Sequence, residues 1–110
     1  MNENIFSIDE GSINFWLKAG KIDFQEEGKS LPLFQKTDSF GNSIFIIRDG
    51  DKKIKMFHVK MGKGRTDIEY CVNELSNLKD HMFTFTWSVS KKEMKIFVDG
   101  KESGRTEIKY

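Results

Sequence analysis

Residues 82–100, MFTFTWSVSKKEMKIFVDG, contain two short apolar runs that are joined by a polar turn. Over 83–87 large aromatic residues alternate with threonine, and over 94–98 methionine, isoleucine and valine alternate with lysine and phenylalanine. Side chains on a strand point alternately to its two faces, so this period of two favours strands. The stretch therefore predicts a β-hairpin with one buried face.

The alternation continues on both sides of this hairpin. Residues 12–18, SINFWLK, also alternate, whereas 43–48, SIFIIR, are apolar on both faces and indicate a central strand. Turn-forming residues separate the runs, and the stretch 73–80, NELSNLKD, predicts one short helical turn. About ten strands are predicted, near 4–8, 13–18, 22–25, 32–36, 43–48, 53–59, 66–72, 82–88, 93–98 and 105–110.

The length of 110 residues predicts a single domain over 1–110. Ten Phe, two Trp and two Tyr supply large side chains for its core. Many short strands with almost no helix indicate an all-β antiparallel fold, either a two-sheet sandwich or a barrel.

Two heptapeptides nearly match, GRTDIEY at 64–70 and GRTEIKY at 104–110. Each predicts the second strand of a hairpin, with its threonine, isoleucine and tyrosine on one face. Two explanations stay open, an internal duplication and the convergence of two amphipathic hairpins.

Three stretches resemble the laminin G-like and concanavalin A-like sandwich family of lectins and glucanases: 11–20, 41–57 and 80–104. The matching positions include Gly11, Ile13, Phe15, Trp16, Lys18, His81, Phe85, Trp87, Phe97, Val98, Asp99 and Gly100. The resemblance implies a jelly-roll sandwich of two antiparallel sheets. It also implies an extracellular or surface location, which nothing else in the sequence indicates.

The chain departs from that family in its length. Family members run longer and add strands after the Val-Asp-Gly hairpin, whereas this sequence ends at Tyr110, inside a predicted strand. The resemblance therefore implies either a domain excised from a larger protein or a shortened sandwich. An amphipathic edge strand without a neighbour invites pairing, so a homodimer through the 105–110 edge is predicted.

The charge balance and the apolar content of the sequence give no indication of a nucleic-acid or membrane partner. Lys and Arg total 18 and Asp and Glu total 17, which gives a net charge of +1 and no long-range attraction to nucleic acid. No apolar run approaches the ~20 residues of a membrane span, so membrane insertion is not predicted. One cysteine, Cys71, cannot form an intrachain disulfide.

Two acidic residues bear on a catalytic function. Sandwich-type glycoside hydrolases need paired carboxylates on one strand face. Asp67 and Glu69 alternate on one predicted strand but lack a third member, so a β-glycan hydrolase is disfavoured and no catalytic residue is predicted.

A calcium site is a further candidate, since Ca²⁺ takes six or more oxygen ligands from loop carboxylates and carbonyls. The candidate ligands are Asp49, Asp51 and Asp99, although no dense aspartate run is present. Asp99 also fits an Asp-Gly hairpin turn. No other cofactor is predicted.

Aromatic residues on otherwise polar strand faces are the candidate ligand contacts. Trp16 lies between Asn14 and Lys18, Phe97 lies beside Lys95, and Phe57 holds the matching place in the other hairpin. The ligand-binding candidates are Trp16, Phe57, Phe97, Asn14 and Lys95. Exposed together, such rings would form a binding face, and the competing interpretation is that other chain segments cover them.

The leading functional hypothesis is a non-catalytic recognition module that binds a glycan or a protein on a cell or particle surface. It derives from the family resemblance. The alternative is a structural or assembly domain that oligomerises or packs on its neighbours without a small ligand.

Overall fold

The computed structural model describes residues 7–20, 28–72, 75 and 78–110. These residues form eight antiparallel strands and no helix. The strands are β1 (Glu10–Leu17), β2 (Leu31–Thr37), β3 (Ser43–Asp49), β4 (Lys53–Lys60), β5 (Gly64–Cys71), β6 (His81–Ser88), β7 (Glu93–Val98) and β8 (Lys101–Glu107).

The strands are arranged in two four-stranded sheets. The first sheet has the order β1-β6-β7-β8 and the second has the order β2-β3-β4-β5. Their inner faces share one apolar core, and β5 also contacts β7 and β8 of the other sheet. The all-β, two-sheet prediction is therefore confirmed, while the jelly-roll connectivity stays a prediction.

The β6–β7 hairpin forms the two inner strands of the first sheet. Phe85 pairs with Ile96 and Trp87 pairs with Met94, and all four side chains are buried as the alternation predicted. Phe83 and Phe85 lie almost parallel with centroids 6.4 Å apart, and Phe15 of β1 stacks on Phe85 at 5.9 Å. The aromatic rings of two neighbouring strands thus form the centre of the core.

The turn between β7 and β8 is shorter than the sequence suggested. Asp99 and Gly100 both have positive φ, 53° and 83°, and Val98 pairs directly with Lys101. This is the two-residue Asp-Gly turn whose twist suits a hairpin. The predicted strand 105–110 is consequently wrong in its bounds, because β8 begins at Lys101 and ends at Glu107.

Other predicted elements fall partly or wholly outside the described residues. The predicted strand 22–25 lies there entirely, and so does most of 4–8, of which residues 7 and 8 are described and are not in a strand. Of the predicted helical turn at 73–80, residues 75 and 78–80 are described and none of them is helical. None of the described residues belongs to a helix long and apolar enough to cross a membrane.

The two matching heptapeptides occupy β5 and the region of β8, which contact each other across the sandwich. Ile68 and Ile108 are both buried, so the predicted inward pattern is confirmed. Their pairing differs, since Ile68 pairs with Met56, whereas Ile96, the counterpart of Met56, pairs with Gly104. The two copies share an inward pattern without sharing a hairpin register.

After β8 the Ile108 N–H still donates to the Lys92 carbonyl of the β6–β7 turn, and Tyr110 then packs on the second sheet. The Tyr110 hydroxyl lies 2.6 Å from Nδ1 of His58 and 2.8 Å from the His58 carbonyl oxygen on β4. Part of the predicted dimer edge at 105–110 is therefore engaged within the chain. A dimer through that edge stays a prediction.

Candidate binding face

Four of the five predicted ligand residues share the outer face of the first sheet. Asn14 of β1 pairs with Thr84 of β6, and Thr84 pairs with Phe97 of β7. In the next row towards the start of β1, Thr86 pairs with Lys95. We call this surface the platform: Ser12, Asn14, Trp16, Thr84, Thr86, Lys95 and Phe97.

Trp16 is the most exposed aromatic residue of the platform. Its side chain is 53% exposed, and the Lys18 ammonium lies 5.4 Å from the ring centroid. Lys18 is also 3.5 Å from a carboxylate oxygen of Asp80, so its ammonium lies close to both the ring and a carboxylate. A large ring on an edge strand thus stands at the border of the platform.

Hydroxyl and amide groups occupy the platform between Trp16 and Phe97. The Asn14 amide donates a hydrogen bond of 2.8 Å to Thr84 Oγ1, which fixes the direction of both side chains. The ligand-binding residues predicted from the sequence include Asn14 but not the threonines of β6. Their signal was present, since Thr84 and Thr86 alternate with the buried aromatic residues and must point outward.

The charged groups beside the platform are paired with one another. The Lys95 ammonium lies 3.3 Å from a Glu93 carboxylate oxygen and 4.0 Å from Glu102, and Arg105 lies 3.3 Å from Glu102. Exposed pairs of this kind are mutually screened. The charge of Lys95 on the platform is consequently balanced by glutamate, and the other members of the platform are neutral polar side chains and two aromatic rings.

Phe57 lies on the opposite side of the molecule. It is half-buried on the outer face of the second sheet, opposite Phe45, and the Arg65 guanidinium lies 5.1 Å from its ring centroid. Phe57 and Phe97 hold matching positions in two hairpins, but these hairpins belong to different sheets and the two rings do not share a surface. The structure therefore does not bring Phe57 to the other four candidates.

The three predicted calcium ligands are engaged in other contacts. The Lys55 ammonium lies 2.7 Å from Asp49 and 3.2 Å from Asp51, and Asp99 accepts hydrogen bonds from the ring of His81 and the Met82 N–H, both at 2.9 Å. No group of three acidic, histidine or cysteine side chains placed to hold a metal occurs among the described residues. Lys55 holds the place between the two aspartates that a cation would take.

The same contacts set the acidity of the aspartates. Hydrogen bonds from Lys55, Ser30 and the Gly50 N–H lower the pKa of Asp49 from 3.8 to about 2. Partial burial acts to raise the pKa of Asp99, but the hydrogen bonds from His81 and Met82 hold it below its usual value. Both carboxylates are therefore charged structural acceptors at neutral pH.

We expect Asp49→Asn to lower the free energy of unfolding by about 1 kcal/mol at pH 7, because a charged, multiply hydrogen-bonded acceptor is lost. A carboxyl whose folded pKa is depressed stabilises the fold above its unfolded pKa and loses that effect as pH falls. The difference between wild type and variant should thus shrink between about pH 4 and pH 2. Urea unfolding across that range measures it, with the exposed Glu107→Gln as a surface control, and a constant difference would contradict the assignment.

Two further acidic candidates, Asp67 and Glu69, lie on β5 and are ion-paired. Arg65 lies 2.9 Å from Asp67, and Lys53 lies 3.2 Å from Glu69. Cys71, at the end of the same strand, is exposed.

Comparison with known proteins does not assign the chain to a family. A scan against protein-family models gave no match, and a search of curated proteins found none either.

Proposed function

We propose that this chain is a non-catalytic recognition module that binds a neutral glycan on the platform, on a cell or particle surface. One observation carries the proposal: Trp16 stands exposed on an open sheet face beside a row of amide and hydroxyl groups. The family resemblance supports the same class of function.

The chemistry of the platform suits a sugar ring. The apolar C–H face of a pyranose packs on an aromatic ring, while its hydroxyl groups exchange hydrogen bonds with amides and hydroxyls. Trp16 supplies the ring, and Asn14 and Thr84 supply both donors and acceptors in a fixed orientation. A few oriented polar groups around an apolar contact are the usual source of ligand specificity.

The electrostatics favour a neutral glycan over a sulfated or uronic one. Lys95 within the platform, and Lys18 and Arg105 beside it, are each paired with a carboxylate. An anionic sugar would have to displace those carboxylates. A neutral chain would lie across the strands from Trp16 to Phe97 without disturbing them.

A glycan array probed with the purified chain, with Ca²⁺ and again with chelator, identifies the ligand. We expect Trp16→Ala and Phe97→Ala each to weaken binding of the array hit at least tenfold in titration calorimetry, about 1.4 kcal/mol. Phe57→Ala is the matched control, because it removes the same kind of ring from the opposite face. Equal losses in Phe57→Ala, or a blank array from folded protein, would overturn the proposal.

The alternative, an assembly domain without a small ligand, is supported by the outer face of the second sheet. There Phe45 pairs with Phe57, and Ile47 and Val59 lie beside them, all half-buried. An apolar row on a sheet face commonly marks a contact with another domain. Loss of self-association or domain docking in Phe45→Ser with the platform intact would favour this function.

A further inference from the structure

The two sheets have four edge strands, and they differ in how they are protected. β5 and β8 contact each other on one side of the sandwich. On the other side β2 carries Pro32, a register shift between Pro32 and Phe34, and Lys36, all of which discourage strand pairing. From Gly11 to Leu17, β1 has no proline, bulge or charge, and among the described residues it pairs with β6 alone.

The hydrogen-bonding direction along β1 can be derived from its neighbours. The Val89 N–H donates to the Asp9 carbonyl at 2.7 Å, and the Asp99 N–H donates to the Met82 carbonyl at 2.8 Å. In an antiparallel pair the N–H and C=O of successive residues point alternately to the two sides. Odd-numbered residues of β1 therefore bond to β6, and the backbone groups of Glu10, Ser12, Asn14 and Trp16 point away from β6, to an edge that no described residue pairs with.

We propose that β1 pairs with β1 of a second copy of this chain. The two strands run antiparallel about a two-fold axis at Asn14, which joins two first sheets into one continuous sheet of eight strands. A two-fold axis makes the contact isologous and closed, so it yields dimers rather than filaments.

The axis position follows from pairing and charge. With the axis at Asn14, Glu10 lies opposite Lys18 of the second copy, so opposite charges meet twice, once at each end of the ribbon. On the inner face Ile13 meets Phe15 of the second copy. An axis at Ile13 would set Glu10 against tryptophan, and an axis at Phe15 would leave Glu10 without a counterpart strand residue.

This register places part of the second copy on the platform. Ser12 of the second copy lies beside Trp16, on the same outer face, and the two platforms become contiguous. The dimer contributes a residue next to the exposed ring and doubles the number of rings along one surface. Pairing of the two β1 strands requires no ligand, so dimerisation can be measured without a glycan and independently of glycan binding.

A cysteine at the axis residue tests the register directly. Cα atoms of a hydrogen-bonded antiparallel pair are about 5.5 Å apart, which a disulfide can bridge. In a Cys71→Ser background we expect Asn14→Cys to form a crosslinked dimer under mild oxidation. Ser12→Cys is the matched control and should stay uncrosslinked. In this register Ser12 pairs with Trp16 of the second copy, so the two residues at position 12 lie four positions apart along the paired strands.

Mass measurement by light scattering tests the dimer without crosslinking. We expect the mass to rise from 12.8 kDa towards twice that value with concentration. Asn14→Pro, which removes a backbone donor only from the open edge, should abolish the rise while the thermal transition persists. Glu10→Lys and Lys18→Glu should each weaken dimerisation at least fivefold, and the double exchange should restore it.

A monomer at every concentration, without crosslinking of Asn14→Cys, would overturn the proposal. A dimer that crosslinks better through Ser12→Cys, or that survives Asn14→Pro, would also overturn it and direct attention to the 105–110 edge.

Discussion

Phe85→Ala is expected to lower the free energy of unfolding by about 3–5 kcal/mol, a large part of the stability of a small domain. Phe85 is fully buried at the centre of β6, and it stacks on both Phe15 and Phe83. Truncation removes apolar contacts from the core that the two sheets share and leaves a cavity that close-packed strands do not fill. Urea unfolding followed by tryptophan fluorescence measures the loss.

Phe40→Ala is the matched control, because Phe40 is 79% exposed. It should change the free energy of unfolding by less than about 0.5 kcal/mol. If Phe85→Ala does not fold, Phe85→Leu keeps most of the apolar volume and should cost about 1–2 kcal/mol. Equal effects of the substitutions at positions 85 and 40 would contradict the assignment of the core.

His58→Ala is expected to lower the free energy of unfolding by about 2–4 kcal/mol at pH 7, because it leaves a cavity and deprives the Ile8 carbonyl of its hydrogen-bond partner. The fully buried His58 ring lies 2.6 Å from the Ile8 carbonyl at Nε2 and 2.6 Å from the Tyr110 hydroxyl at Nδ1. Nε2 donates to the Ile8 carbonyl, which can only accept, and the Tyr110 hydroxyl donates to the His58 carbonyl at 2.8 Å. This network ties the segment before β1 and the end of the chain to β4.

The same network predicts a dependence on pH. Burial lowers the pKa of His58 below 6.5, because desolvation penalises the charged ring. The unfolded state then binds more protons, so stability is lost as pH falls below about 6.5. We expect the difference between wild type and His58→Ala to shrink from pH 7 to pH 5 in urea unfolding.

Tyr110→Phe separates the hydrogen bond from the cavity. It removes one hydroxyl and keeps the ring that stacks on His58, with centroids 5.7 Å apart, so it should cost about 1–2 kcal/mol. A pH-independent difference for His58→Ala, or no cost for Tyr110→Phe, would contradict the role given to this network.

The strands of this protein were predictable where the alternation of apolar residues was clear. Phe83, Phe85 and Trp87 identified the buried face of β6, and the apolar run at 43–48 identified a central strand of the second sheet. When one face of a strand is buried, apolar residues recur at every second position, and this pattern is visible in a short stretch of sequence. The sequence accordingly predicted the fold class and most strand positions.

The candidate binding face could be predicted only in part. Trp16 and Phe97 were recognised as aromatic residues on polar faces, but their proximity depends on β1 and β7 both flanking β6. Phe57 satisfied the same sequence criterion and lies on the other sheet. Local alternation tells which side of a strand a residue occupies, and it does not tell which sheet the strand joins.

The sequence alone was enough to identify the buried residues of β6 and β7, because alternation at every second position is visible in neighbouring residues. Only the tertiary structure decided that the two matching heptapeptides form facing edges with different registers, and that His58, Ile8 and Tyr110 meet. These contacts join residues about 50 positions apart, and pairing at such distance is set by how the whole core packs.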